Sequence, residues 1–142
     1  MLQYQQLGQL YVAADLLLDA ELKNRVMNEL CSKNEQGTYR TWNQSIPYVW
    51  AHTPSGCGLR RFMCDRYLSK DPEGLRKFFE KHEEGFPKEF FYDFTMRQLE
   101  FRDGKQAIRD TCSATRCLYH EHDGEDDRTS CEMDGKKGDG RK

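Results

Sequence analysis

Apolar side chains recur along the first part of the chain with helical spacing. Leu7, Leu10, Tyr11, Ala14, Leu17 and Leu18 fall at i, i+3, i+4, i+7, i+10 and i+11, the stripe of an amphipathic helix. Leu22, Val26, Met27 and Leu30 form a second such face, with Asp19 placed to cap it. "SKNEQGTYRTWNQ" lacks that period and reads as a loop pivoting on Gly37. In "SIPYVWAHTP", Ser45 is placed to cap a short helix, Pro47 suits its first turn and Pro54 stops it.

Three further helices follow the same logic. In "SGCGLRRFMCDRYLSK", Leu59, Phe62, Met63 and Tyr67 share a face, with Arg60, Arg61, Asp65 and Arg66 mostly off it. "DPEGLRKFFEKH" opens with Asp71 as cap and Pro72 at the first helical position, and Gly85 ends the segment. "FPKEFFYDFTMRQLEF" starts near Pro87 and is anchored by Phe90, Phe91, Phe94 and Phe101. "TYRTW" alternates too briefly to carry a sheet, and no hairpin dipeptide lies between β-branched runs. The expected fold is all-α, about six helices joined by short connections. Trp42, Tyr48, Trp50, Phe78, Phe79, Phe90, Phe91 and Phe94 are expected to be core.

Composition adds limits. The 142 residues suit one domain with a core of its own. Charged residues make up 32% against 37% hydrophobic, which is polar for a compact domain and implies chain outside the core. That chain is at the C-terminal end: eight acidic against five basic residues lie from Glu121 onward, and Cys131 and Met133 are the only apolar side chains after His122. Such a stretch is expected to be disordered unless a metal or partner organises it. The net charge of −2 does not fit a nucleic-acid binder. No stretch matches a signal peptide or membrane span, so an intracellular protein of nucleus or cytoplasm, with no membrane partner, is expected. Its six cysteines are then reduced thiols, with Cys31, Cys57 and Cys64 acting as small hydrophobes.

"LGQLYVAADLLLDAELKNRVMNEL" resembles the last two helices of a BTB/POZ domain of the form common in fungal proteins, through Leu10, Tyr11, Ala13, Ala14, Asp15, Leu22, Lys23, Asn24, Val26 and Leu30. "IPYVWAHTPSGCGLRRFMCDRYL" resembles the BACK-like helices that follow it in that group, through Tyr48, Trp50, Thr53, Pro54, Gly56, Leu59, Arg60 and Arg61. "FPKEFFYDF" is similar to the next helix. The likeness covers roughly residues 7 to 101. It implies truncated BTB/POZ helices over 1–33, a helical extension over 43–111, and a Cys/His-containing, largely disordered acidic tail over 112–142. The N-terminal half of a BTB domain, with its dimerising helix and most of its cullin-contacting surface, has no counterpart here, so neither property carries over to any residue. Helices that would pack on that half are expected to expose Leu7, Leu10, Tyr11, Ala14 and Leu17. The implied role is a non-enzymatic protein–protein interaction or oligomerisation module. Leu10, Tyr11, Leu17, Leu59 and Phe62 are its candidate anchors, some of which must instead form the core.

"CLYHEH" is the other candidate. Cys117, His120, His122 and Cys131, with Cys112 as a substitute, supply the donors of a structural zinc site. Cys117 and His120 have a zinc-knuckle gap, but the set does not form two paired motifs. A polar tail with coincidental Cys and His accounts for the same residues, and if zinc binds it fixes the tail rather than catalysing. A Cys–His nucleophile is disfavoured because no third group orients the base. "GCGLRR" lacks the strand and the Lys-Ser/Thr of a phosphate loop, so Gly56 and Gly58 are read as a turn. Arg60 and Arg61 are read as a solvated face, with Glu80, Glu83 and Glu84 as available partners.

Overall fold

The computed structural model describes residues 3–35, 45–68, 71–82, 85–102 and 119–122. Six helices account for most of them: α1 (Tyr4–Leu16), α2 (Ala20–Glu35), α3 (Ile46–His52), α4 (Gly58–Leu68), α5 (Pro72–His82) and α6 (Lys88–Arg102). No strand occurs among the described residues, and the fold is all-α as the periodicity predicts. The antiparallel pair α1–α2 and the pair α4–α6 are the main packing units, and α3 touches both α1 and α6. One apolar core runs through them, from Tyr4 and Leu7 through Met27, Leu30, Ile46, Leu59 and Phe62 to Phe90.

Helix starts follow local chemistry. The Asp19 carboxylate accepts from the Leu22 amide at 2.9 Å, and Asp71 accepts from the Gly74 amide at 2.9 Å. Ser45 stands at the N-cap of α3, but its side chain makes no capping bond. Its backbone is already helical (φ −85°, ψ −18°), and its buried hydroxyl has no hydrogen-bond partner among the described residues. Pro47 in the first turn and the extended Thr53 before Pro54 bound that helix instead. Gly56, at φ +77°, makes the turn into α4 as expected.

The aromatic core is largely where it was expected. Trp50, Phe90 and Phe94 are buried, and Phe78, Phe79 and Phe91 pack half-buried against them. Phe86 joins them, whereas Tyr48 is exposed and Trp42 lies outside the described residues. Cys31, Cys57 and Cys64 are free and buried. Burial pushes the Cys64 thiol far above its ordinary value, and Asp93 and Asp65 nearby add to this, so it stays a neutral packing group.

Two readings of α4 are corrected. Arg60 is not part of a solvated face but is buried. Its guanidinium donates to the carbonyls of Trp50 and Thr53, to the Thr53 hydroxyl at 2.9 Å and to Asp93 at 3.3 Å. It therefore satisfies carbonyls left open at the C-terminal end of α3, with the Asp93 carboxylate as its counter-charge. Asp65 is also interior, only 1% exposed, because α6 brings Arg97 against it.

Candidate functional site

The α1–α2 turn carries the most exposed apolar group among the described residues. Leu16, Leu17 and Leu18 are 76%, 75% and 87% exposed. α1 ends in a Schellman turn: the Asp19 amide donates to the Ala14 carbonyl at 2.9 Å, and the Leu18 amide to the Asp15 carbonyl at 3.1 Å. That geometry puts Leu18 in the left-handed position normally held by glycine, at φ +55°. Three large apolar side chains thus stand on a tight, fixed turn.

The face expected to be left open on α1 is mostly covered. Leu7, Tyr11 and Ala14 are buried, Leu10 packs partly against the core, and Leu17 is exposed. The reason is local. α2 and α3 pack on α1, so the stripe finds partners without any further sheet. Of the candidate anchors, Tyr11, Leu59 and Phe62 are fully interior and belong to the core. Leu17 is exposed, and Leu10 lies at the edge of the core.

A second cluster forms where Tyr119–His122 meets the helices. This segment falls inside the stretch expected to be a loose tail, yet Tyr119 is 1% exposed. Its ring meets Phe62 edge to face at 5.3 Å between centroids. Its hydroxyl donates to Asp65 at 2.6 Å. Arg97 grips the same carboxylate with two bonds, Nε at 2.6 Å and Nη2 at 2.8 Å. Burial pushes the Tyr119 phenol far above its ordinary value, and the adjoining Asp65 charge adds to this, so it acts only as a neutral donor. Burial opposes the charge on Arg97, but its bonds to Asp65 outweigh that and hold the guanidinium fully charged.

The next residues are held by α2. The Asn24 side chain donates to the Glu121 carbonyl at 3.0 Å and accepts from the Glu121 amide at 2.8 Å. Lys23 bridges Glu121 at 2.6 Å and Asp15 at 2.9 Å. Burial opposes the charge of Lys23, but the two carboxylates outweigh it and raise the ammonium above its ordinary value. His120 Nε2 lies 2.7 Å from Asn28 Oδ1. Gly58 allows the approach from the other side, since a Cβ there would collide with the Tyr119 carbonyl.

As candidate zinc ligands, His120 and His122 lie with ring centroids 6.0 Å apart. Cys112, Cys117 and Cys131 lie outside the described residues. Among the described residues no three His, Cys, Asp or Glu side chains gather as a metal site. No described helix is long and apolar enough to cross a membrane.

The polar groups of this cluster escaped the sequence reading, although a signal was present. Lys23 shares the register of Val26, Met27 and Leu30, and Arg97 that of Phe90 and Phe94. A charge on a core stripe implies a buried partner. No family model, curated protein or solved structure matches the chain.

Proposed function

We propose that the chain is a protein–protein interaction module, the role that its resemblance to the C-terminal helices of a BTB/POZ protein and their helical extension implies. The observation that carries this reading is the exposed leucine triplet at the α1–α2 turn. A leucine in left-handed backbone costs about 1–2 kcal/mol relative to glycine. Leu18 accepts that cost while its side chain contributes little to the core, so its value lies in what it presents. Leu16 and Leu17 extend the same apolar knuckle, the kind of feature that marks a partner surface.

The test is a Leu16→Ser/Leu17→Ser/Leu18→Gly variant compared with wild type by light scattering and partner capture. The variant folds with equal or higher thermal stability and loses association. A wild-type chain that is monomeric at its highest soluble concentration and captures the same proteins as the variant overturns the reading.

A second reading, a small zinc-binding regulatory protein, rests on the closeness of His120 and His122. Asn28 accepting from His120 Nε2 would direct Nδ1 toward a metal. Metal analysis of the wild-type protein beside Cys117→Ser/His120→Ala decides it: zinc bound and then lost on mutation supports a site, and a zinc-free wild type removes it.

A further inference from the structure

We propose that the cleft between α4 and α6 binds a small organic monocarboxylate, with Arg61 as its cation and Tyr92 and Met96 against its apolar body. The cleft shares no residue with the leucine knuckle, and its failure would leave the reading built on that knuckle intact.

The cleft holds about 210 Å³ and is walled by the turn at Ser55 and Gly56, by α4 and by α6. That is below the roughly 300–1,000 Å³ of a drug-sized pocket, so its ligand is compact. Three arginines line it, Arg60, Arg61 and Arg97, with two acids, Asp93 and Glu100. Both acids are engaged. Asp93 pairs with Arg60 at 3.3 Å and accepts from the Trp50 indole at 2.9 Å. Glu100 pairs with Arg97 at 3.0 Å, and Arg97 takes both oxygens of Asp65 as well. Arg61 is left over. It has no carboxylate partner among the described residues, and its Nε is buried there with no acceptor. A buried donor without an acceptor is costly, and more so on a charged group. One guanidinium at the wall of a cavity thus lacks an anion.

That excess decides the charge of the ligand. One uncompensated cation calls for a monoanion, while Asp93 and Glu100 repel a dianion such as a phosphate monoester. A carboxylate is planar and takes two parallel bonds from a guanidinium. The Cys64 thiol, which lines the same cleft, is held neutral by burial and adds no repulsion. The rim selects the rest of the molecule. Tyr92 and Met96 lie one turn apart on α6, line the cleft, and are 67% and 42% exposed. Apart from the Leu16–Leu18 knuckle and Tyr48, they are the only large apolar side chains among the described residues that stand exposed. An aromatic or aliphatic ligand body covers them.

The test titrates the full chain, carbon-13 labelled at its methionine methyls, with 3-phenylpropionate. The Met96 methyl, one of five in the chain and identified by its loss in Met96→Leu, reports from the site itself. It shifts saturably with a Kd of about 1 mM. Binding weakens at least about tenfold in Arg61→Gln, and equally for the uncharged 3-phenylpropanamide on the wild-type chain. Phenyl phosphate binds more weakly than the carboxylate. No saturable shift of Met96 up to about 20 mM carboxylate overturns the proposal. So does equal binding of acid and amide, tighter binding of phenyl phosphate, or unchanged affinity in an Arg61→Gln chain that keeps its helical circular dichroism. Should Arg61→Gln unfold, the comparison of acid and amide on the wild-type chain carries the test.

Discussion

The aromatic side of the helical body and the face that receives Tyr119 both bury rings, by different means. On the aromatic side, Phe90 meets Trp50, Phe86 and Tyr67 at centroid distances of 5.1, 5.0 and 5.6 Å, and Phe79, Phe91 and Phe94 surround them. Most of those contacts need only apolar shape. On the other face, Tyr119 is fixed by one carboxylate that also holds Arg97. Apolar packing tolerates exchange of similar volumes, whereas a buried ionic group tolerates no missing partner. The first arrangement supplies much of the cohesion, and the second specifies which segment may dock.

The largest effect that sharpens this contrast is expected at Asp65. Asp65→Ala leaves the Arg97 guanidinium buried without its bidentate partner, and denaturant unfolding should show a loss of about 3–5 kcal/mol. Phe90→Leu, at the centre of the aromatic side, removes only part of the ring's volume and should cost less, about 1–2 kcal/mol in the same measurement. Equal losses would erase the distinction between the two faces.

Two buried tyrosines, Tyr11 and Tyr119, test it more finely. The Tyr11 hydroxyl is buried beside Cys57 without a well-formed hydrogen bond, and burial pushes its phenol far above the ordinary value. Tyr11→Phe is therefore expected to be neutral or to stabilise, whereas Tyr119→Phe should destabilise by about 1–3 kcal/mol through the unpaired lone pairs of Asp65. Paired melting curves check the opposite signs.

The smallest effect concerns pH. The raised Lys23 pKa means that its contribution is complete below the ordinary lysine value of about 10.4 and is lost as pH rises through the raised one. The stability gap between wild type and Lys23→Met should be constant at neutral pH and narrow above about pH 10. A gap that widens there would reverse the sign assigned to Lys23.

Much of the helical order was legible because its causes are local. Asp19, Asp71, Pro72 and the Phe90–Phe94 spacing act within a turn or two of themselves. Ser45 takes the N-cap position its type suits, but without the side-chain capping bond, because its backbone is already helical. Arg60 misled because its partners, the α3 carbonyls and Asp93, come together only once α3, α4 and α6 have packed. The cluster around Tyr119 lay furthest from view. Periodicity cannot reveal that a tyrosine in a polar stretch inserts beside Phe62, and the metal-ligand types in "CLYHEH" drew attention from the tyrosine between them.

Tyr119 also sets a schedule. Its bond to Asp65 spans 54 positions of chain, and the bonds of His120 and Glu121 to α2 span 92 to 98. Contacts of such separation carry the greatest loop-closure cost and form after local helical ones. On a ribosome adding about 5–20 residues per second, all six helices are made before residue 119 exists. The core around Tyr119 is therefore completed last, after every helix that lines it has been synthesised.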